Sequence, residues 1–441
     1  MTTTLVPEAT EEASPPQQSL GLALAKLLGI VAVIVAICIL THSVPVLIII
    51  LALVTMIMLH ELGHFLTAKL CGMKVTEYFL GFGPRLWSVR RGETEYGIKA
   101  VPAGGYVKIV GMTMLETVAD EDESRSYRQA TFPRRLLVAV AGSFTHFLLA
   151  FFLVWGTLLV GGATRSVNTA PTVSSLLKFS SGPTPSRVAG FRNGDVFVSI
   201  DGHPATSFAE LSSIIGSNAG KPLDVVVRRD GHLTNLLVTP VGRPVCVGSN
   251  PRPTTRGEIG VELSTESTKT TNLGVSSSFT NSFSQYGSLF GATFSGLAAV
   301  FSFHGLRSFG HAVASANKPV CSVPGVPGST SASNDQILSF LGVIQLGPQI
   351  LQDGGVAGLL FFLALINLFV GVINLVPMLP LDGGHVIIAL YERIRSRKGR
   401  RYHADVMKLL PVAYVFLTFI IVIGLAAFYV NVMQPAKLPG G

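Results

Sequence analysis

Charge is what this 441-residue chain has least of. Asp, Glu, Lys and Arg make up 13% of it, where an ordinary soluble domain carries about 25%. That excludes a wholly water-facing protein. The 48% hydrophobic content and mean hydropathy of +0.51 point instead to a membrane protein with soluble parts diluted into it. Cysteine is scarce too, and four residues do not make a disulfide-built scaffold. Cys38 falls in an apolar run and Cys71 needs only a packing role. Cys246 and Cys321 share one segment, where they could pair in an oxidising compartment. Residues 1–19 lack the positive start of a signal peptide, and no small-residue cleavage site follows Leu40. With Pro7, Pro15, Pro16 and little to bury, 1–19 is expected to be a disordered cytoplasmic tail. No inverted repeat is visible, which counts against a transporter.

Long apolar runs are plentiful. Residues 20–40, 44–70, 136–161, 356–379 and 411–430 each meet the roughly 20 residues that a bilayer core requires. The expected fold is an α-helical polytopic membrane protein of about five spans, including the extra N-terminal helix. The run 289–303 is shorter and fits an interfacial or re-entrant helix. Lys and Arg crowd the loops after the second and fourth runs, among them Lys69, Lys74, Arg90, Arg91, Arg393 and Arg395. Both loops are therefore expected on the cytoplasmic side, with 162 to about 355 outside. Topology and lipid headgroups account for the net charge of +8 without nucleic acid.

His60-Glu61-Leu62-Gly63-His64 closes the second run. On a helix this spacing brings two imidazoles to one face, where both can bind one zinc, and leaves Glu61 as general base. Ionisable residues at membrane depth are costly and usually functional, so the pattern points to hydrolysis within or at the edge of a bilayer. Two histidines leave a catalytic zinc one protein ligand short. Asp382, in Asn374-Leu375-Val376-Pro377-Met378-Leu379-Pro380-Leu381-Asp382-Gly383-Gly384-His385, is the best candidate. It ends an apolar run, Pro377 and Pro380 break the helix, and Gly383-Gly384 lets the backbone approach something closely. The second and fourth runs also traverse in the same direction, so their ends reach one depth. Asp-Gly-Gly is by itself a common turn, and Asn374 could serve only as a helix–helix hydrogen bond. His385 is expected beside the site rather than as a ligand. His42, His146, His304 and His311 have no ligand-like spacing and read as ordinary polar residues.

An HExxH in an early span, followed by NxxPxxPLDGG in a later one, resembles the site-2 protease family of intramembrane zinc metalloproteases, in particular the bacterial branch with an inserted PDZ domain. Gly81-Phe82-Gly83-Pro84, Gly92-Glu93-Thr94-Glu95-Tyr96 and Pro102-Ala103-Gly104-Gly105-Tyr106-Val107-Lys108 follow in the family's order. The resemblance implies Zn2+ held by His60, His64 and Asp382, Glu61 as base, and a substrate-facing role for Asn374. It implies membrane-anchored protein substrates already shortened by another protease, such as anti-sigma factors, and a multi-pass place in a bacterial plasma membrane. One departure stands out. Where the family often has Gly-Pro and an asparagine, this chain reads Ala141-Gly142-Ser143-Phe144-Thr145-His146, which leaves that span without an assigned part in the site. A decayed member would be an inactive scaffold binding partners through its PDZ domain. The presence of all of His60, Glu61, His64 and Asp382 argues against that.

Ser186 to Gly202 resembles a protease-associated PDZ core, with Val196, Val198 and Ile200 alternating as a half-buried strand and Asp201-Gly202 as a turn. Residues 207–217 read as a helix, and 223–231 as a strand entering a hairpin. The expected order is a membrane domain at 20–161, an extracytoplasmic PDZ domain (α+β) at 162–242, a linker with the interfacial helix at 243–335, and a second membrane domain at 336–441. Residues 86–101 alternate around a Gly92 turn. This β-hairpin on the cytoplasmic side, followed by Gly104 and Gly105, is the candidate edge for holding substrate extended by strand addition. Its plainer role would be a cap on the helices.

Overall fold

In a computed structural model of the chain, residues 25, 29, 32–33, 35–41, 43–113, 117–179, 182, 184–205, 207–245, 254–316, 340–396, 402 and 404–433 are described. The expected tail, most of the extra N-terminal span, His42, Cys246 and Cys321 lie outside them. Residues 35–40 of that span are helical.

The first elements are α1 (Val44–Leu70), β1 (Val75–Arg91), β2 (Thr94–Ile109), α2 (Asp120–Glu123) and α3 (Phe132–Gly161). Next come β3 (Ala163–Leu176), α4 (Pro185–Val188), β4 (Val196–Ile200), β5 (His203–Pro204), α5 (Phe208–Ser217), β6 (Leu223–Arg229) and β7 (His232–Val238). Then follow β8 (Val241–Val245), β9 (Thr254–Glu258), β10 (Val261–Thr271), α6 (Val275–Val300) and α7 (Phe303–Ser315). The chain ends with α8 (Phe340–Asn374), α9 (Asp382–Arg395) and α10 (Leu410–Met433).

Among the described residues four helices are long and apolar enough to cross a membrane: α1, α3, α8 and α10. Their outward side chains stay exposed, Leu51 at 55%, Phe144 at 61% and Val415 at 71%. Apolar surface of that extent is matched by lipid and not by water. The chain is a multi-pass membrane protein. Helix α8 begins before the expected run at 356, but its backbone breaks at Gly355 (φ 59, ψ −154), immediately before that run starts. It ends at Asn374, short of 379, because Pro377 and Pro380 cannot continue a helix. The run 289–303 belongs to a longer helix, since α6 begins at Val275 and meets α7 at a bend of 69°.

The chain divides into two units, residues 1–149 with 367–417, and 150–366 with 418–441. In the first, β1 and β2 form an antiparallel pair much longer than the expected 86–101. Gly81 (φ +86) and Gly83 (φ +84) bend β1, so Tyr78 pairs with both Tyr96 and Val107 and the hairpin folds onto itself. The order across this folded ribbon is 85–91, 94–99, 77–80, 105–109, which leaves Gly105–Ile109 as an edge. Its base packs with Ala68, Met73, Tyr127 and Val138 in a small buried cluster.

In the second unit a six-stranded sheet runs β10-β3-β4-β6-β7, with β5 paired to β4. Its core includes Phe191, Phe197, Ile200, Leu211, Ile215, Val225 and Val227. Leu211 and Ile215 come from α5, whose N-cap Ser207 accepts from the Glu210 N–H. Asp201-Gly202 and Asp230-Gly231 both adopt positive φ, as tight hairpin turns require. The expected burial of Val196 and Val198 needs correcting. A bulge between Phe197 and Ser199 shifts the alternation, so Phe197 and Ile200 are buried and both valines only half-buried. The sheet also reaches past residue 242, because β3 takes β10 as its antiparallel partner. Phe151 and Trp155 of α3 meet Phe279 and Phe283 of α6 ring to ring.

Candidate metal centre

One stripe of α1 faces inward: Ile49, Leu53, Met56, His60, His64 and Ala68 are its buried residues. Spacings of three and four place them on one helical face, so the two histidines continue a packing stripe. Asp382 stands on the first turn of α9, where a carboxylate is favoured by the helix dipole. Behind it, Gly383 and Gly384 sit against backbone. A Cβ on Gly383 would come within 2.3 Å of the Leu375 and Val376 carbonyl oxygens. The close approach expected of these glycines is therefore to the chain's own preceding loop, which holds Asp382 in place.

The His60 and His64 Nε2 atoms are 3.3 Å apart. Asp382 Oδ1 lies 3.3 Å from His64 Nε2, and its Oδ2 lies 3.7 Å from His60 Nε2. Zinc–ligand bonds of about 2.0–2.1 Å at tetrahedral angles separate neighbouring donors by about 3.3–3.4 Å. The histidine pair matches that spacing, each histidine has one carboxylate oxygen of Asp382 close by, and one donor atom from each residue lies within 4.8 Å of the others. The donor set of two imidazoles and a carboxylate therefore fits a zinc ion. His64 Nδ1 is 2.8 Å from the Val138 carbonyl, and donating there leaves its Nε2 lone pair free for metal. Ser143 Oγ donates to Asp382 Oδ2 at 3.1 Å. Cys71 caps α1 outside this cluster.

Glu61, one residue along α1, lies between this cluster and β2, close enough to interact with His64 and Asp382. Its carboxylate takes a backbone hydrogen bond from Val107, and its Cγ lies 3.4 Å from where a Gly105 Cβ would be. Thus the Gly105–Ile109 edge of the folded ribbon passes beside Glu61. Gly104 adjoins the Phe82 ring. Asn374 ends α8 half-buried, and no described hydrogen bond joins it to His60, His64 or Asp382. His385 lines a cavity of about 380 Å³ together with Tyr127, Arg135 and Pro380.

The span from Phe132 has a larger part than its sequence suggested. A Cβ on Gly142 would fall 2.3 Å from His64 Nε2 and 2.4 Å from His60 Cε1, so the histidines need a glycine there. His146 is not an ordinary polar residue on a helix surface. It is buried, its ring lies 4.8 Å from that of His60, and it bonds Asn367 at 2.9 Å. The available signal was a histidine one turn beyond a small-residue pair within an apolar run.

Fold and side chains together define a metallohydrolase set into a membrane. The sequence profile of peptidase family M50 matches residues 48–418. The zinc metalloproteases Rip1 of Mycobacterium bovis and Mycobacterium tuberculosis are each 34% identical over 413 residues, covering 88% of this chain and 97% of theirs. Rip1 of Mycolicibacterium smegmatis is 30% identical over 396 residues, 84% of this chain and 92% of its own. The chain belongs to peptidase family M50, the site-2 proteases, and is a zinc metalloendopeptidase.

Proposed function

We propose that this chain cuts peptide bonds in or near transmembrane segments of membrane-anchored proteins, with His60, His64 and Asp382 holding zinc and Glu61 as the base. The observation that carries this is the donor cluster: the two Nε2 atoms lie 3.3 Å apart, with Asp382 Oδ1 3.3 Å from His64 and Asp382 Oδ2 3.7 Å from His60. Zinc bound there supplies Lewis acidity and brings the ionisation of water toward neutral pH. Glu61 takes the proton of the attacking water and passes it to the amine nitrogen released when the C–N bond breaks. Ser143 fixes one Asp382 oxygen, leaving the other to face His64.

A transmembrane helix hides its peptide bonds in its own hydrogen bonds, so substrate must be drawn out straight. The Gly105–Ile109 segment is an edge of the folded ribbon and runs beside Glu61, and it takes the substrate by strand addition. Gly105 lets this edge lie close against Met58 and Glu61, and Gly104 lies against the Phe82 ring. Asn374 is assigned as a donor to the substrate backbone or the developing oxyanion.

The metal centre and hairpin are read as facing the cytoplasm, a reading supported by the Lys and Arg in the loops beside them. The six-stranded sheet is read as an extracytoplasmic PDZ domain that filters substrates by their outer ends. Those substrates are proteins already shortened by another protease, anti-sigma factors among them. Glu61→Gln serves as a trap: membrane proteins retained by the variant should be cut by wild type and not by Glu61→Gln. Equal processing by both would remove Glu61 from the mechanism.

A further inference from the structure

His60 and His64 are held in different ways. His64 is oriented by its 2.8 Å contact with the Val138 carbonyl. Among the described residues no hydrogen bond of ordinary distance and angle reaches the buried His60 Nδ1, and the ring's nearest backbone neighbour is Gly142. A ligand histidine ordinarily donates this outer N–H to a carboxylate, carbonyl or water, which fixes its ring plane. The groups packed against the His60 ring therefore bear on its orientation.

The neighbouring ring is His146, with centroids 4.8 Å apart and planes inclined at 35°. His146 stands four residues after Gly142 on the same face of α3. A Gly142 Cβ would touch His60 Cε1 and Nε2 at 2.4 and 2.6 Å, so the His60 ring lies along a slot formed by that glycine and His146. His146 cannot turn freely: its Nδ1 is 2.9 Å from Asn367 Oδ1, and the two residues are 2% and 1% exposed. Burying this polar pair at membrane depth is costly.

We infer that His146, locked by Asn367, is a positioning residue for His60, and that its ring face supplies the orientation His64 obtains from Val138. The inference rests on His60 being a zinc ligand. A plain interhelical hydrogen bond between α3 and α8 would give the same contact with Asn367, and substitutions separate the two readings. His146→Leu fills the space without a ring, whereas His146→Phe keeps a ring and loses the bond.

The test is zinc affinity of the full-length protein by chelator competition, with the visible spectrum of the cobalt-substituted protein as a second readout and His60→Ala as control. His146→Leu should bind zinc about 10–100-fold more weakly, with a changed cobalt spectrum. His146→Phe, which keeps the ring face but not its lock, should match Asn367→Ala and retain more affinity than His146→Leu, and kcat should fall in His146→Leu with KM little altered. Asn367→Ala frees the ring without removing it, and should weaken zinc in the same direction even if His146→Leu does not fold. Wild-type affinity and spectrum in His146→Leu, or in Asn367→Ala where His146→Leu fails to fold, overturns the inference if His60→Ala has lost its metal. Wild-type zinc binding by His60→Ala removes the ligand reading and this inference with it.

Discussion

Gly142 matters through what it lacks. A methyl group there would overlap His64 Nε2 at 2.3 Å and His60 Nε2 at 2.6 Å, and neither ring can retreat. Val138 holds the first and His146 lies against the second. Gly142→Ala should leave the protein folded but lower zinc affinity by at least about 10–100-fold, measurable by metal analysis after dialysis. Wild-type zinc content would show that the helices can spread. Ser143→Ala is milder: losing one hydrogen bond of about 1 kcal/mol should weaken zinc about fivefold. His60, Glu61 and His64 were legible because one helix turn carries them, and Asp382 because two spans were reckoned to end at one depth. Gly142, Ser143 and His146 were not, since their roles depend on which helix face meets α1. That contact is made through space, and no spacing along the chain encodes it.

At the scale of elements, Arg135 of α3 and Glu392 of α9 form a buried ion pair at 2.5 Å, with side chains 7% and 4% exposed. Glu392 also accepts the Ala404 N–H at 2.7 Å. The pair links the helix that carries Gly142 to the helix that begins with Asp382. Arg135→Met should destabilise the protein by about 3–5 kcal/mol, because it strands a buried carboxylate. Arg135→Met with Glu392→Leu should recover most of that in a double-mutant cycle of detergent unfolding, and additive losses would deny the coupling. A second link joins the end of α1 to the hairpin turn: Glu93 meets Arg125 at 2.7 Å and Lys69 at 2.5 Å. The Arg125 guanidinium, and then Lys69, hold the Glu93 carboxyl down from 4.5 to about 2. A value lowered by folding means the stabilisation is complete above pH 4.5 and is lost as pH falls toward 2. Wild type should lose stability across that window more steeply than Glu93→Gln, and parallel pH profiles would remove the link. The hairpin's existence was readable from alternation around Gly92. Its folding onto itself was not, because that comes from two left-handed glycines acting across strands. The Phe197–Ser199 bulge escaped for a similar reason: one inserted residue moves the face without altering composition.

For the whole molecule, charge is the physical handle on sidedness. The apolar helices say that the chain spans a membrane several times, while Lys and Arg near their ends set direction. In the proposed arrangement the hairpin tip is cytoplasmic and the six-stranded sheet lies outside, so residues on the two must label from opposite faces. Arg91 and Lys221 are both exposed, one at the hairpin tip and one in the loop before β6. In a background with the four native cysteines replaced by serine, Lys221→Cys should react with a membrane-impermeant maleimide on intact cells. Arg91→Cys should react only after permeabilisation. Labelling of both from one side would place the sheet and the metal centre in the same compartment. The sheet could then no longer act only as an outer filter, and it could meet substrate beside Glu61. The reverse pattern would invert the orientation drawn from the basic loops, with the donor cluster and the chemistry it supports unchanged.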